Sequence, residues 1–412
     1  MQRSVLLVAT VALLLALNPL SAPAQRFPTP ARRARSVSYQ CVLMVRSGDP
    51  APGVRDDSVY AFFQEPVIAD DGTIAFTGWI VSPTTQTFNT GLFAAKKPEK
   101  DRLIALAGRS LPRKDGFLMS FGRPALNKNG QVAFLAQFSD YSSAIYVHRY
   151  RVAEIGGGVP GVDDAWYSFL ADPALNSRGE IAFGADYFTG TSFGGGVFTQ
   201  ERALAFDSDP IPGLPDVYLL TQGNVAWLGD EAIGYTALLS DGSQAVFGAG
   251  EIVIRTGDLA PDTDGQTVLF LDPGVAGNAN GDIAYLAGLD TGARALYVNH
   301  HLVALEGTEL RALPGSTLAQ VFWPSSGTGM LDAQGNLVYA GLISTPENGI
   351  VGAGVFLSDR LIALTGQPVG DPQDGLTLLG IASPARVNSQ GQIVFIGILS
   401  NGEEAIVAAL PR

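Results

Sequence analysis

The chain has 412 residues, of which 39 are acidic and 26 basic, and its formal net charge is −13. An acidic chain of this kind argues against nucleic-acid binding, which needs a basic face to displace counterions from phosphates. The single cysteine excludes an intramolecular disulfide and a zinc site built from several thiolates, so the fold must be stabilised by burial.

Residues 1–24 have the pattern of a secretory signal peptide. Arg3 gives a basic start, Val5 to Leu17 is apolar, and residues 22–24 fit a small-residue cleavage site. A transmembrane span is the alternative, but the apolar run is too short for one, and no later segment is long and apolar enough to span a membrane. We therefore expect bacterial export, to the periplasm or the medium. Residues 25–36, rich in Pro and Arg, predict a disordered linker.

One short motif recurs through the rest of the chain: Asn-x-x-Gly, then Ile or Val, a small residue, and Phe or Tyr. Asn and Gly tolerate the left-handed backbone of a tight turn. The β-branched and aromatic residues that follow favour a strand. Each copy therefore predicts a turn between two strands. The turn positions are Gly72, Gly130, Gly179, Glu231 in a degenerate copy, Gly281, Gly335 and Gly391.

The spacing of the copies predicts the architecture. Successive turns are 49 to 58 residues apart, and each interval has room for four strands, which we call a, b, c and d. This pattern is typical of propeller blades. We predict one all-β domain over residues 37–412, a seven-bladed β-propeller of four-stranded antiparallel blades. An extended β-solenoid is the alternative, although its repeats are usually shorter and have fewer hairpins.

The two ends of the chain predict how the ring closes. The seventh unit has strands a, b and c only, whereas a spare strand d precedes the first unit, around Val42 to Arg46. An N-terminal strand that completes the last blade would leave no exposed edge there. We expect deletion of residues 37–47 to lower the melting temperature sharply.

Pro-Gly segments such as Gly48–Gly53 and Asp209–Gly213 recur after strand d and predict the crossovers between blades. With the Asn-x-x-Gly-x-Val-Ala-Phe motif, they resemble the repeats of secreted bacterial β-propeller proteins of uncharacterised function, over about residues 37–410. The resemblance implies the fold but no catalytic residues. The turn is more loosely similar to the Asp-box of sialidase-type propellers, yet the Ser-x-Asp-x-Gly spacing is not kept, and no sialidase activity is inferred.

Three short patterns match known sites only in part. Gly190–Gly194 has the spacing of a Gly-x-Ser-x-Gly nucleophile elbow, which needs a strand–turn–helix context that is not predicted here. His300 and His301 fall in a c–d turn, where exposed residues are expected. Asp262–Gly265 hints at calcium but lacks the rest of a calcium loop. We therefore assign no catalytic residue, metal ligand or cofactor.

A polar set on strand a predicts a ligand site. Strand a is innermost in a propeller, so polar residues on it would ring the central channel, where convergent charges bind ligands. The alternative is that they are polar strand ends paired with each other. Seven residues before the motif glycine, the units carry Glu65, Arg123, Asp172, Asn224, Gly274, Thr328 and Pro384.

Aromatic residues in or beside the long b–c loops extend the candidate site. Trp79, Tyr187 and Phe188 lie there, and these loops should share a face with the crossovers. On such a face the rings would stack on a sugar or grip a peptide. Equally, they would fill the interface between neighbouring blades.

The first functional hypothesis is a secreted or periplasmic binding module, a monomer without a cofactor, for a glycan, a peptide or another protein. The second is a channel-sited hydrolase or lyase that uses Glu65, Asp172 and Arg123. The third is a purely structural surface protein. Convergence of the three channel residues within hydrogen-bonding reach would discriminate the second hypothesis from the first.

Overall fold

The computed structural model describes residues 38–54, 57–98, 100–111, 116–323 and 327–412. The predicted signal peptide and linker lie outside these residues. The described strands form seven antiparallel sheets arranged as the blades of a propeller, so the predicted fold is confirmed. Within the described residues, no helix has the length and apolar character of a membrane span.

Blades one to six run from strand a to strand d in chain order, and in four of the seven blades strand a is split into two segments that both pair with strand b. The N-terminal strand and the first three blades comprise β1 Tyr39–Arg46; β2 Val59–Phe63, β3 Val67–Ile68, β4 Ile74–Val81, β5 Phe88–Ala95 and β6 Asp101–Leu106; β7 Leu118–Phe121, β8 Ala125–Leu126, β9 Val132–Phe138, β10 Ser143–Val147 and β11 Tyr150–Glu154; β12 Trp166–Leu170, β13 Ala174–Leu175, β14 Ile181–Phe188, β15 Phe193–Thr199 and β16 Ala203–Phe206.

The last four blades contain one short 3₁₀ helix, Pro372–Asp374, in a crossover. Their strands are β17 Leu219–Leu228, β18 Ala232–Leu239, β19 Gln244–Gly248 and β20 Glu251–Arg255; β21 Val268–Gly277, β22 Ile283–Leu289, β23 Arg294–Val298 and β24 His301–Leu305; β25 Thr317–Phe322, β26 Gly327–Thr328, β27 Val338–Thr345, β28 Gly349–Leu357 and β29 Arg360–Leu364; β30 Leu378–Ile381, β31 Arg386–Val387, β32 Ile393–Leu399 and β33 Glu404–Pro411.

The motif asparagine makes the a–b turn and also joins neighbouring blades. Asn388 Oδ1 accepts from the main-chain N–H groups of Gln390 at 3.1 Å and Gln392 at 3.0 Å. Its Nδ2 donates to Gln392 Oε1 at 2.7 Å and to the carbonyl oxygen of Ala69 in the first blade at 2.8 Å. The same inter-blade bond links Asn176 to Asp230 and Asn278 to Asp332. A residue that bonds both its own turn and the next blade explains why the motif recurs.

The motif aromatic residue builds the core of each blade. It lies on strand b, and in five blades it stacks on an aromatic residue of strand c within the interface between blades. In the third blade the Phe183–Phe198 pair is tilted, and in the seventh Phe395 lies opposite Val407. Tyr235 and Phe247 are typical, with ring centroids 5.1 Å apart and planes 12° apart. The equivalent pairs are Phe76–Phe93, Phe134–Tyr146, Tyr285–Tyr297 and Tyr339–Phe356.

The ring closes as the sequence predicts. Strand β1 pairs antiparallel with β33, from Tyr39 opposite Pro411 to Arg46 opposite Ala405. The main-chain N–H of Arg412 donates to the carbonyl oxygen of Ser38 at 2.8 Å, so the pairing continues past both strand ends. Strand β1 is therefore strand d of the seventh blade.

The two faces of the ring differ in the connections that they carry. On one face, a main-chain N–H of the b–c turn donates to the residue just before strand a of the same blade, as Ser240 N does to Tyr218 O at 2.9 Å. This crossover face thus carries the b–c loops and the d-to-a crossovers together, as expected. The opposite, motif face carries the a–b and c–d turns. Strand a runs from the crossover face to the motif face.

Candidate ligand site in the central channel

A ring of apolar side chains surrounds the channel at the crossover face. Strand a is innermost, because its segments pack against each other from blade to blade around the axis. Near its start, six of the seven blades in the described chain expose a large apolar side chain, with 37% to 62% of its surface accessible. We call these residues the mouth ring: Phe62, Met119, Phe169, Leu220, Leu269 and Leu379.

A β-bulge in strand a lies at these side chains: Met119, Leu220, Leu269 and Leu379 are the bulged residues, and Phe62 and Phe169 directly follow one. Each strand a has a register shift directly after a buried apolar residue, so two of its residues face one on strand b. Leu378 is buried at 1% exposure, whereas Leu379, at the bulge, is 61% exposed. The bulge therefore turns apolar residues out of the blade interface. Exposed apolar groups gathered in one place usually mark an interaction site.

A cluster of charges lies further along the same strands, where strand a is interrupted. Glu65 Oε1 lies 3.7 Å from Arg123 Nη2, and Glu65 Oε2 accepts from Arg386 Nη2 at 3.2 Å. The Glu65 carboxylate of blade one thus lies between the guanidinium groups of blades two and seven. Burial lowers the pKa of Arg386 to about 10, the charge of Glu65 opposes this shift, and the residue stays cationic at neutral pH.

Asp172 of the third blade completes this cluster. Its carboxylate accepts a hydrogen bond from the main-chain N–H of Arg123, and burial raises its pKa above the usual value. A Cβ atom on Gly122 would overlap Asp172 Oδ1, so the glycine makes room for the carboxylate. Arg123 thus lies beside Asp172, which its main chain bonds, and beside Glu65, at 3.7 Å, so the condition set for the enzyme hypothesis, side chains within hydrogen-bonding reach, is met only in part.

Two charged residues on strand a are missed when positions are counted seven residues back from the motif glycine. In blades five and seven the counted positions are Gly274 and Pro384, whereas the charges belong to Asp272 and Arg386, two residues away. In both blades the buried residue that starts strand a lies 13 residues before the motif glycine, against 12 in blades one to four. Counting from the motif thus slips in these units, and counting five residues from the strand start gives Pro273 and Ser383, so neither count finds Asp272 or Arg386.

The remaining members of the polar set contribute differently. Asn224 is half-buried at the bulge of β17, beside the fourth and fifth blades' close contact at Gly223. Thr328 ends the short strand β26, which pairs in parallel with β21 of the fifth blade. Burial raises the pKa of Asp272, whose Oδ1 accepts from Gly274 N at 3.0 Å.

The three predicted loop aromatics differ in position. The sequence allowed two roles for them, contact with a ligand or filling of the interface between blades. Trp79 stacks on the mouth-ring residue Phe62, with centroids 5.1 Å and planes 21° apart, so it supports the channel mouth. Tyr187 packs edge-on against Phe198 inside the blade interface. Phe188 belongs to a surface cluster and lies 4.7 Å from Phe193. The sequence alone had left these two roles open.

The residues of the three partial motifs are not arranged as catalytic or metal sites. Ser192 lies in the b–c hairpin of the third blade, where its Oγ lies 2.9 Å from Thr189 Oγ1, and no helix follows. His301 is 85% exposed, and its Nδ1 lies 3.8 Å from Asp262 Oδ2. In the part of the chain that the structure describes, His, Cys, Asp and Glu nowhere form a group of three that would hold a metal ion.

A groove of about 970 Å³ lies apart from the channel, between blades five and six. Its floor includes Leu310, Tyr339 and Phe356, and acidic residues border it. Arg311 and Asp359 form an ion pair of 3.6 Å across its border. Smaller grooves recur at the outer strands of blades two and seven, so this cavity follows from the blade geometry.

Comparison with solved structures returns propellers at low similarity. The propeller domain of the Trilobed protease from Pyrococcus furiosus is 8% identical, with 86% of this chain and 95% of that chain covered and a TM-score of 0.44. The WD40 propeller domain of Doa1 is 12% identical, with 89% and 96% covered and a TM-score of 0.33. A Bacteroides caccae protein of unknown function is 11% identical, with 82% and 95% covered and a TM-score of 0.30. These values carry no functional argument.

Comparison at the sequence level is more direct. No curated protein matches the chain. One family model matches it twice, over residues 34–203 and 197–409, which together span almost all of the propeller; the model describes a family of unknown function, DUF7453.

Proposed function

The chain belongs to the family DUF7453, whose function is unknown, and we propose from its geometry that it is a binding module that takes its ligand at the crossover-face mouth of the channel. The signal-peptide pattern of residues 1–24 supports export, so the module would act in the periplasm or outside the cell. A glycan, a peptide or another amphipathic molecule is the ligand class.

The mouth ring is the observation that carries the proposal. A structural propeller needs buried apolar residues between its blades, and the described chain has them in abundance. It has no structural need for exposed Met119, Leu269 and Leu379, each at least 60% accessible, beside a charged channel. Apolar walls with a few convergent polar groups are the usual composition of a ligand site.

The test uses N-phenyl-1-naphthylamine, an uncharged dye that fluoresces in apolar surroundings. We expect saturable binding by the wild-type chain and at least severalfold weaker binding by the double variant Phe169→Ser, Leu379→Ser. The control is Tyr141→Ser, since Tyr141 is 96% exposed on a b–c turn of the same face and lies outside the ring. Equal binding by all three proteins would refute the site.

A channel-sited hydrolase or lyase is the second candidate, because Arg123 lies beside both Glu65 and Asp172. A carboxyl group whose pKa is raised by burial suits a proton donor, and an arginine suits a developing negative charge. Propellers host such sites, but this support is analogy of fold alone. Turnover of ester, glycoside or uronate substrates that disappears in Asp172→Asn but not in Asp186→Asn would establish it.

A further inference from the structure

We infer that the ligand of the mouth ring is an amphipathic anion, with an apolar body against the ring and one carboxylate-type or sulfonate-type group against Arg123. This inference rests on the proposed binding function and adds the charge of the ligand. It follows from three observations: the distance of the charged residues below the mouth ring, the exposure of each charged side chain, and the contacts that each carboxylate already makes.

The first step concerns depth. Glu65 follows Phe62 by three residues, Arg123 follows Met119 by four, and Asp172 follows Phe169 by three. At about 3.3 Å per residue, the charges lie roughly 10 Å below the ring. A ligand whose apolar body fills the mouth would therefore place its other end among them.

The second step concerns accessibility. The side chain of Arg386 is 2% exposed, that of Glu65 is 19% exposed and that of Arg123 is 32% exposed. The charge that a ligand in the channel meets most readily is therefore the guanidinium of Arg123. Arg386 is also held by a hydrogen bond of 3.2 Å to Glu65.

The third step concerns the two carboxylates beside Arg123, which a cationic group would need. A cation would have to compete with two guanidinium groups for Glu65, because each oxygen of that carboxylate faces one of them. Asp172 is engaged by the main-chain N–H of Arg123. An anion, in contrast, gains an ion pair with an accessible arginine, whose planar fork suits carboxylate and sulfonate groups.

The test compares two dyes that share one ring system. 1-Anilinonaphthalene-8-sulfonate carries an anion, and N-phenyl-1-naphthylamine does not. We expect Arg123→Gln to weaken binding of the sulfonate about tenfold, the loss for one charged hydrogen bond, and to leave the neutral dye unchanged. Arg149→Gln, at an exposed arginine on a c–d turn of the motif face, is the matched control and should bind both dyes as the wild type does.

Two further variants keep the test decisive if Arg123→Gln folds poorly. Arg123→Lys keeps the charge and should retain most of the sulfonate affinity. Asp172→Asn removes a neighbouring negative charge without changing shape and should tighten sulfonate binding alone. If neither Arg123→Gln nor Asp172→Asn separates the two dyes, the inference is wrong, although loss of both dyes in the mouth-ring variant would still support the binding function. Unchanged binding in the mouth-ring variant would overturn both.

Discussion

At the scale of single residues, the channel contains groups whose ionisation is set by their surroundings. Asp172 is held in a partly buried site that Gly122 leaves open, and burial outweighs the favourable effects of Arg123 on its carboxylate. The ionised form is therefore less favourable in the folded chain than in the unfolded chain. A residue that costs stability at neutral pH is expected at a functional site rather than in a purely structural one.

This environment predicts a pH-dependent effect of Asp172→Asn. The pKa of Asp172 in the folded chain lies above the usual value of 3.8, so between these two pKa values the folded chain binds a proton that the unfolded chain has lost. The stability of the folded chain therefore falls as the pH rises through this range. The variant should melt on the order of 1–3 °C higher at pH 7 and like the wild type near pH 3.

Asp230→Asn is a control of opposite sign. A hydrogen bond from the Ser177 side chain lowers the pKa of Asp230, so its contribution is present above the usual pKa and lost as pH falls. Asp230→Asn should therefore have a lower melting temperature than the wild type at pH 7, and this difference should disappear in acid. A lower melting temperature for Asp172→Asn at pH 7 would contradict the account of that site.

At the scale of elements, the a–b turn is the unit that the sequence repeats. Its asparagine bonds its own turn and, in several blades, the neighbouring blade, so one residue stabilises both local structure and ring geometry. Glu231 of the fourth blade shows that the turn itself tolerates a change. There the link to the fifth blade is made by main-chain atoms, with Gly229 N donating to Asn278 O at 2.8 Å.

Asn388→Ala should therefore destabilise the joint between the last and the first blade. Asn388 is 4% exposed, and its side chain makes four hydrogen bonds, at about 1 kcal/mol net for each, so we expect a loss of about 2–4 kcal/mol in the free energy of unfolding. Urea denaturation followed by circular dichroism measures it.

Asn401→Ala is the matched control for this turn. Asn401 is exposed on a b–c turn, and its side chain accepts from Glu403 N at 3.1 Å. This substitution should cost less than about 1 kcal/mol. Equal effects at the two positions would show that the inter-blade bond is not what makes the motif asparagine important.

At the scale of the whole molecule, closure joins segments from opposite ends of the chain. Strand β1 pairs with β33 across 359 to 372 residues, from Arg46–Ala405 to Tyr39–Pro411. Its Met44 and Val45 are buried against the first and seventh blades. Such non-local pairing makes folding slow, because the loop must close before the contacts form.

A circular permutant tests this closure. Joining Arg412 to Ser38 by a short Gly-Asn-Gly turn and opening the chain between Val54 and Asp57 makes β33 and β1 a local hairpin. We expect the same strand content, a melting temperature within a few degrees of the wild type and faster refolding. The control is the open chain 57–412, which lacks β1 and should melt much lower. A permutant that melts as low as this control would contradict closure by β1.

The sequence by itself determined the number of units, the four-strand pattern and the closure of the ring, because Asn, Gly, Pro and alternating apolar residues act through local backbone and packing rules that every blade obeys. It also pointed to Glu65, Arg123 and Asp172, although export and ligand remain predictions. Only the tertiary structure decided that Arg386 belongs beside Glu65 and that six exposed apolar residues form one mouth. Bulges shift the direction of a side chain without changing its residue type, and residues of different blades meet only once the ring has closed.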